Sequence, residues 1–244
     1  IWQYCRIVKE CRPEVFVFEN VKGFLSIEKG KAYVNFLNAL RDLGYHCHAE
    51  VLNTKDYGIP QNRERLYIVG FLDADRYFSF RFAPKKPLRL TLGDMLESCV
   101  DEKYFLSERA IKGFKKKDNN FQGSFSPKNP SNTANCLTTA AGNRRTDTFI
   151  IQRARGFNKG GELELCPTIS SNSFAQNNPL GGERIRKLTP RECLRLQGIG
   201  DDFKIVVSDT QIYKQAGNAM SQNVVEMILG QIAGSLMKNF RLGA

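Results

Sequence analysis

Glu19-Asn20-Val21 and Gln61-Asn62-Arg63-Glu64-Arg65 are the residues of this chain best suited to chemistry. The first group follows an apolar run, Val15-Phe16-Val17-Phe18, so it places a carboxylate at the tip of an expected buried strand. The second precedes another apolar run, Leu66 to Phe71, and sets two arginines and a glutamate at that strand's mouth. Ligands of open α/β sheets sit at strand mouths. A carboxylate there, with planar and permanently charged guanidiniums, makes a clamp for a polar planar ring.

The surrounding pattern predicts the elements that must hold this clamp. Trp2 to Cys11 reads as a helix leading through Pro13 into the first strand. Ala32 to Leu43 repeats Val34, Phe36, Leu37, Leu40 and Leu43 at helical spacing and stops at Gly44. Tyr45 to Leu52 reads as a strand, and Leu66–Phe71 follows after the turn Tyr57-Gly58-Ile59-Pro60. Strand, helix, strand is the βαβ pattern, and the last two strands predict an antiparallel pair at one edge. From about Tyr77 to Ile185 periodicity weakens and Gly, Asn, Ser and Pro thicken. Between Arg109 and Lys159, eleven Lys and Arg face only Asp118 and Asp147, which predicts a loop-rich basic module. Order returns at Leu188. Thr189-Pro190-Arg191-Glu192 and Ser208-Asp209-Thr210-Gln211 both read as capping boxes that start helices. The last helix carries Val224, Val225, Ile228, Leu229, Ile232, Leu236 and Met237 on one side.

A chain of 244 residues, 41% hydrophobic, can bury a real core as one large domain or two small ones. Its 36 Lys and Arg against 25 Asp and Glu give a net charge of +11, which favours a polyanionic partner. Nucleic acid fits better than membrane, because no basic amphipathic helix stands out. Seven cysteines without a C-x-x-C pair, no signal peptide and no membrane-length apolar run predict a reducing, cytoplasmic setting. The chain begins at Ile1 inside an expected helix, so it reads as a piece of something longer.

Pro13 to Val21 resembles the sixth conserved motif of the DNA cytosine-5 methyltransferases, and Gln61 to Gly70 resembles their eighth. Arg186 to Gly198 resembles the ninth, and Gln215-Ala216-Gly217-Asn218-Ala219-Met220 the tenth. Each is weak alone; four in the family's order, with a variable basic stretch between the eighth and ninth, are specific. The resemblance implies an α/β fold: the C-terminal part of a Rossmann-like, S-adenosylmethionine-dependent methyltransferase sheet, plus a smaller, loop-rich, mostly β target-recognition domain. The expected division puts residues 1–76 and 208–244 in the catalytic domain and 77–207 in the recognition domain.

In that family a cysteine thiolate adds at carbon 6 of cytosine while an acid supports ring nitrogen 3, making carbon 5 nucleophilic enough to take a methyl group. The resemblance implies that Glu19 engages nitrogen 3 and the exocyclic amine, with a pKa raised on substrate binding. It implies that Arg65 binds the cytosine carbonyl and that Arg63 lies near the same pocket. The plain alternative for both arginines is a salt bridge to Glu64. Asn20 is expected to hold the loop through side-chain-to-backbone bonds. Asn218, Ala219 and Met220 match the segment that closes over S-adenosylmethionine, although the family more often has Ser then Val after the Asn. Thr138 and Thr139 match the recognition element beside a flipped base. Arg144, Arg145, Arg153 and Arg155 are candidates for contact with double-stranded DNA, phosphate before base edge. Arg191, Arg195 and Gln197 are expected to be scaffold. A metal reading of His46-Cys47-His48 lacks a third histidine or clustered thiols, so no metal is expected.

The family's Phe-x-Gly-x-Gly turn and Pro-Cys nucleophile do not occur in these residues. The resemblance therefore implies a missing N-terminal methyltransferase portion, in the same polypeptide or a partner subunit, without which the chain is expected to be inactive. Half a doubly wound sheet is also expected to expose an apolar edge and face. The competing reading is a sequence-specific DNA-binding module with vestigial catalytic residues.

Overall fold

A computed structural model of the chain describes residues 1–115, 125–139, 144, 147–152 and 184–240. In chain order the elements are α1 (Trp2–Cys11), β1 (Val15–Val21), α2 (Lys31–Asp42), β2 (His46–Asn53), β3 (Glu64–Phe71) and α3 (Ala74–Ser79). They continue with α4 (Glu108–Lys115), β4 (Phe149–Gln152), β5 (Arg184–Lys187), α5 (Pro190–Arg195), α6 (Asp209–Asn218) and α7 (Gln222–Phe240). The chain forms two compact units: residues 1–57, 64–87 and 222–244 in the first, and 58–63 and 88–221 in the second. These borders differ from the expected 76/77 and 207/208. The α3 segment and the chain through Pro87 stay with the first sheet, and α6 belongs to the second unit.

The first unit is built on a three-stranded sheet of order β1-β3-β2. β3 runs antiparallel to both neighbours, so β1 and β2 point the same way, as the βαβ pattern requires. The antiparallel pair was expected at an edge; β3 instead inserts between the two strands it follows. Burial accounts for the choice, since Leu66, Tyr67, Ile68, Val69 and Phe71 are all buried and only a central strand hides both faces. One face packs Phe16, Phe18, Leu66 and Ile68 against Phe36 and Leu40 of α2 and Val8 of α1. The other packs Tyr67, Val69 and Phe71 against Phe80 and against Val224, Ile228 and Ile232 of α7. Leu229, expected on the buried side of α7, is exposed instead. Gly70 sits opposite Phe16 in the register, and a Cβ there would stand 2.3 Å from the Phe16 ring. Gly44, at φ 86°, ends α2 in the left-handed region that favours glycine. Trp2 and Ile7 of α1 and Val34 of α2 remain exposed.

The second unit has its own core of Leu92, Met95, Ala134, Leu137, Ile150, Leu188, Leu194, Leu196, Ile212 and Ala216. Its strands among the described residues are the antiparallel pair β4–β5. Thr189 caps α5 as expected: its side chain accepts from the Glu192 amide, and the Glu192 carboxylate accepts from the Thr189 amide. Ser208 stands at the N-terminus of α6, but its side chain makes no capping bond, so the second box is a box in spacing only.

Candidate functional site

In the first unit, the β1–β3 register sets Glu19 opposite Tyr67 and Arg65 opposite Val21. Glu19 and Arg65 are therefore diagonal neighbours on one face, within reach of long side chains. Arg65 Nε lies 3.1 Å from Glu19 Oε1, and the two side chains are only 16% and 20% exposed. A pair screened this little by water is electrostatically stronger than a surface ion pair. Arg65 also donates from Nη1 to the Glu64 carbonyl at 2.8 Å, which fixes the guanidinium beside its own strand. The Glu64 carboxylate turns instead to Lys22, at 3.0 Å. Arg65 thus pairs with Glu19 and not with the Glu64 side chain. Asn20 accepts from the Val21 amide at 2.8 Å, a side-chain-to-backbone bond within the same strand end.

His46 and His48 share a face of β2. His48 stacks on Tyr77 with ring centroids 4.2 Å apart, and its Nε2 lies 2.8 Å from the Tyr77 carbonyl oxygen. Among the described residues no group of three or more metal-ligating side chains forms.

In the second unit, the segment 60–63 forms a seam with the chain around Ala134. The Asn62 amide donates to Ala134 O and the Ala134 amide to Pro60 O, each at 2.8 Å. Gln61 is fully buried, donating to Leu196 O at 2.6 Å and accepting from the Leu137 amide at 3.2 Å. Arg63, expected near the same pocket as Arg65, turns its guanidinium to the chain at Leu137 and Gly217–Ala219. It is 3% exposed, with Nη1 donating to Leu137 O at 3.2 Å and to Cys136 Sγ at 3.4 Å. Its Nη2 donates to Gly217 O at 3.1 Å and Ala219 O at 2.8 Å. A buried guanidinium aimed at carbonyls satisfies backbone acceptors that burial would otherwise leave costly.

Thr138 is half-buried and Thr139 exposed. The Thr138 hydroxyl donates to Asp147 Oδ1 at 2.9 Å, while Asp147 Oδ2 accepts from the Arg144 amide at 2.8 Å. The Arg144 side chain is exposed; Arg145, Arg153 and Arg155 lie outside the described residues. Asn218 and Met220 are exposed at the end of α6, with Ala219 half-buried between them.

Arg191, Arg195 and Gln197 are scaffold in their contacts. Arg191 donates to Gly200 O and Phe203 O, Arg195 grips Asp201 with two nitrogens, and Gln197 donates to Ala216 O. Sequence reasoning missed the Arg186–Glu192 pair, buried at 1% and 0% exposure and joined by two 2.7 Å bonds. It also missed Asp147, although a rare acid in a basic window is a signal that its charge has a use. Away from these groups, the Tyr104 hydroxyl donates to Asp209 at 2.7 Å and holds that carboxyl below its usual value. Burial, helped by the same bond, pushes Tyr104 up to about 12. Burial also raises the Cys193 thiol well above its ordinary range.

The fold is shared with methyltransferases of known structure. The Entamoeba histolytica methyltransferase EhMeth superposes with a TM-score of 0.66 over 92% of this chain and 63% of that one, at 20% identity. The S. pombe Dnmt2 methyltransferase gives 0.63 over 92% of this chain and 67% of its own, at 22% identity. Among sequence relatives, the type II methyltransferase M.Bsp6I of Bacillus sp. (strain RFL6) is 34% identical over 95% of this chain and 69% of its own length. The type II methyltransferase M.SsoII of Shigella sonnei is 35% identical over 95% of this chain, which spans 56% of that relative. The model of the C-5 cytosine-specific DNA methylases matches residues 1–234. The chain belongs to that family, whose members take the methyl group from S-adenosylmethionine.

Proposed function

We propose that this chain supplies the base-holding and target-recognition half of a DNA cytosine-5 methyltransferase acting on a flipped cytosine within a specific duplex sequence. The observation that carries this reading is the Glu19–Arg65 pair, two opposite charges held 3.1 Å apart at one end of β1 and β3. Cytosine presents a carbonyl, a ring nitrogen and an amine along one edge. Arg65 would donate to the carbonyl, and Glu19 would engage the ring nitrogen and accept from the amine. Both tasks need side chains already oriented by a neighbour, and the ion pair provides that orientation. Removing a base from its stack costs a few kcal/mol, which contacts of this kind must offset.

The end of α6 fits a role in holding S-adenosylmethionine, which supplies the methyl group when bound. Asn218 is exposed and Met220 is 47% exposed, so an amide and a thioether stand open there. The Ala219 backbone between them is extended, at φ −66° and ψ 147°, and its carbonyl is held by Arg63. Ala219 supplies no hydroxyl, so its part is limited to backbone. Arg63 is assigned to holding this turn, and Thr138, Thr139 and Arg144 to the DNA side, with Arg145, Arg153 and Arg155. Residues 1–76 and 208–244 remain the expected catalytic portion and 77–207 the recognition portion, with the fold borders shifted as described.

The thiolate nucleophile comes from outside these residues, on a Pro-Cys segment in the same polypeptide or a partner, and the 244 residues alone are inactive. The activity would stand beside a restriction system, in the cytoplasm, a reading supported by relatives named as type II methyltransferases. No helix among the described residues is long and apolar enough to cross a membrane. The test is to combine this chain with a segment carrying the Pro-Cys and glycine-turn elements and to measure transfer of labelled methyl from S-adenosylmethionine to duplex DNA. Transfer to cytosine carbon 5 by the mixture, and none by either part, is the expected result. No transfer, with tight sequence-specific DNA binding by this chain alone, overturns the reading in favour of a pure binding module.

A further inference from the structure

Two segments about eighty residues apart in sequence converge on one guanidinium within the second unit. Arg63 holds Leu137 O with one nitrogen and both Gly217 O and Ala219 O with the other. The segments also touch directly. A Cβ added at Gly217 would stand 2.5 Å from Thr139 N, 2.6 Å from Thr138 C and 2.8 Å from Thr138 O. Those are backbone atoms, which cannot rotate aside as the end of a side chain could. Gln61 holds the Leu137 amide from a third direction, and Asp147 anchors the Thr138 hydroxyl from a fourth. The Leu137–Thr139 loop and the Gly217–Ala219 turn are therefore bonded and packed against each other.

We propose that Arg63 and Gly217 are positioning residues that couple the two ligand sites. A ligand ordering the Asn218–Met220 turn fixes Thr138 through the Arg63 bonds and the Gly217 contact. Cofactor occupancy and grip on the target base are thereby linked. The inference rests on the functional reading above, which gives the turn to S-adenosylmethionine and the loop to DNA. Linkage of this kind is reciprocal and commonly amounts to about 5–150-fold in affinity.

The experiment uses the complete enzyme, this chain with its Pro-Cys segment, and S-adenosylhomocysteine as the probe. DNA affinity is measured with and without the probe for the unmodified protein, Gly217→Ala, Arg63→Lys and the control Gly230→Ala, whose added Cβ meets nothing within 4 Å. Amide exchange is followed at Thr138, Thr139, Ala219 and Met220. The unmodified protein and the control should bind DNA roughly 5-fold or more tighter with the probe, within the usual range of such coupling. The probe should slow exchange at all four amides. In Gly217→Ala the affinity ratio should fall to near one, with exchange slowed only at Ala219 and Met220. Arg63→Lys keeps the charge but cannot span three carbonyls, and should give an intermediate ratio. A variant weakened only in stability would lose affinity with and without the probe alike and keep the ratio. If the probe binds and both variants keep the full ratio, the coupling is refuted while the functional reading stands. If the unmodified enzyme does not bind the probe at all, the functional reading falls and takes the coupling with it.

Discussion

Glu192→Gln should be among the most destabilising single-atom changes open to this chain. Four N–H donors converge on the Glu192 carboxylate: Arg186 Nη1 and Nη2 at 2.7 Å, and the Thr189 and Glu97 amides at 2.9 Å. Glutamine keeps one oxygen and presents an NH2 group where the other stood, so two of the four donors face a donor. Hydrogen bonds to a charged group are worth about 1.5–3 kcal/mol each, giving a loss of about 3–6 kcal/mol. Leaving one partner of a buried ion pair uncompensated costs about 3–5 kcal/mol by a separate route, so about 4 kcal/mol is the expected value. Against a total stability of about 5–15 kcal/mol, the variant should still fold but melt roughly 8–16 °C lower. Trp2 is the chain's one tryptophan and lies in the first unit, so its emission would follow the wrong part. Hydrogen exchange at the Cys193 and Leu196 amides reports the right one, and should speed up by about a thousandfold. Arg186→Met with Glu192→Gln removes the stranded charge as well, and should cost less than the two single changes added together. A single-variant loss under about 1 kcal/mol, or strict additivity in the cycle, would refute the account of the pair as a mutually satisfied buried unit.

In the completed enzyme, Glu19→Gln should lower methyl transfer by about 10²–10⁴-fold, the usual share of an acid–base group, while DNA affinity changes by less than about threefold. Equal losses in turnover and affinity would argue that Glu19 only shapes the DNA-binding surface. Asp209 has a depressed carboxyl, mainly through the Tyr104 hydroxyl, so its contribution is present above the unfolded pKa near 4 and lost as pH falls through the folded value. Tyr104 is raised to about 12, so its contribution holds below about 10 and is lost as pH rises from there towards 12. Tyr104→Phe should flatten both limbs of a plot of urea midpoint against pH; a curve parallel to the unmodified one sinks this assignment. Burial raises Cys47 to about 11 and lifts Cys5 and Cys193, whereas Cys11 and Cys99 are exposed. At pH 8 iodoacetamide should therefore label the exposed Cys11 and Cys99 well ahead of Cys47, whose thiol is kept protonated by burial. Labelling of Cys47 at a rate within about threefold of Cys11 would show that it is not buried as described.

The elements of the first unit were legible because their signals are local. Apolar runs of strand length and a helical repeat ending at Gly44 need no knowledge of the rest of the chain; β2, β3 and α2 fall within a residue or two of where the pattern sets them, while β1 starts at Val15 as expected but runs three residues past Phe18. What local pattern could not reveal is order. A strand buried on both faces and one buried on a single face can carry similar residues. The central place of β3 therefore emerges only when Leu66 and Ile68 are seen on one face and Tyr67 and Val69 on the other. The same limit hides Arg186 and Glu192. Arg186 reads as a surface charge and Glu192 as a capping residue until the fold buries both, and six residues of separation is no helical pairing distance.

The eighth-motif segment shows why residue type alone does not set a residue's surroundings. Arg63 and Arg65 are two positions apart, chemically identical, and resemble neighbouring members of one motif. Yet the boundary between the compact units falls between Arg63 and Glu64. From Glu64 onward alternation along β3 governs, and Arg65 is carried to the face of Glu19 with a largely buried carboxylate as partner. Before it the chain pairs with Ala134 in the other unit, and Arg63 is drawn under the loop and the α6 terminus, where it meets three backbone carbonyls and the Cys136 sulfur. A guanidinium presents a fork of five donors, so it suits a planar ligand and a cluster of buried carbonyls equally well. Which of these it meets is decided by burial. The 16% side-chain exposure of Arg65 and the 3% exposure of Arg63 are properties of two different cores. A change at Arg65 should accordingly read out in turnover, and a change at Arg63 in how two binding events communicate.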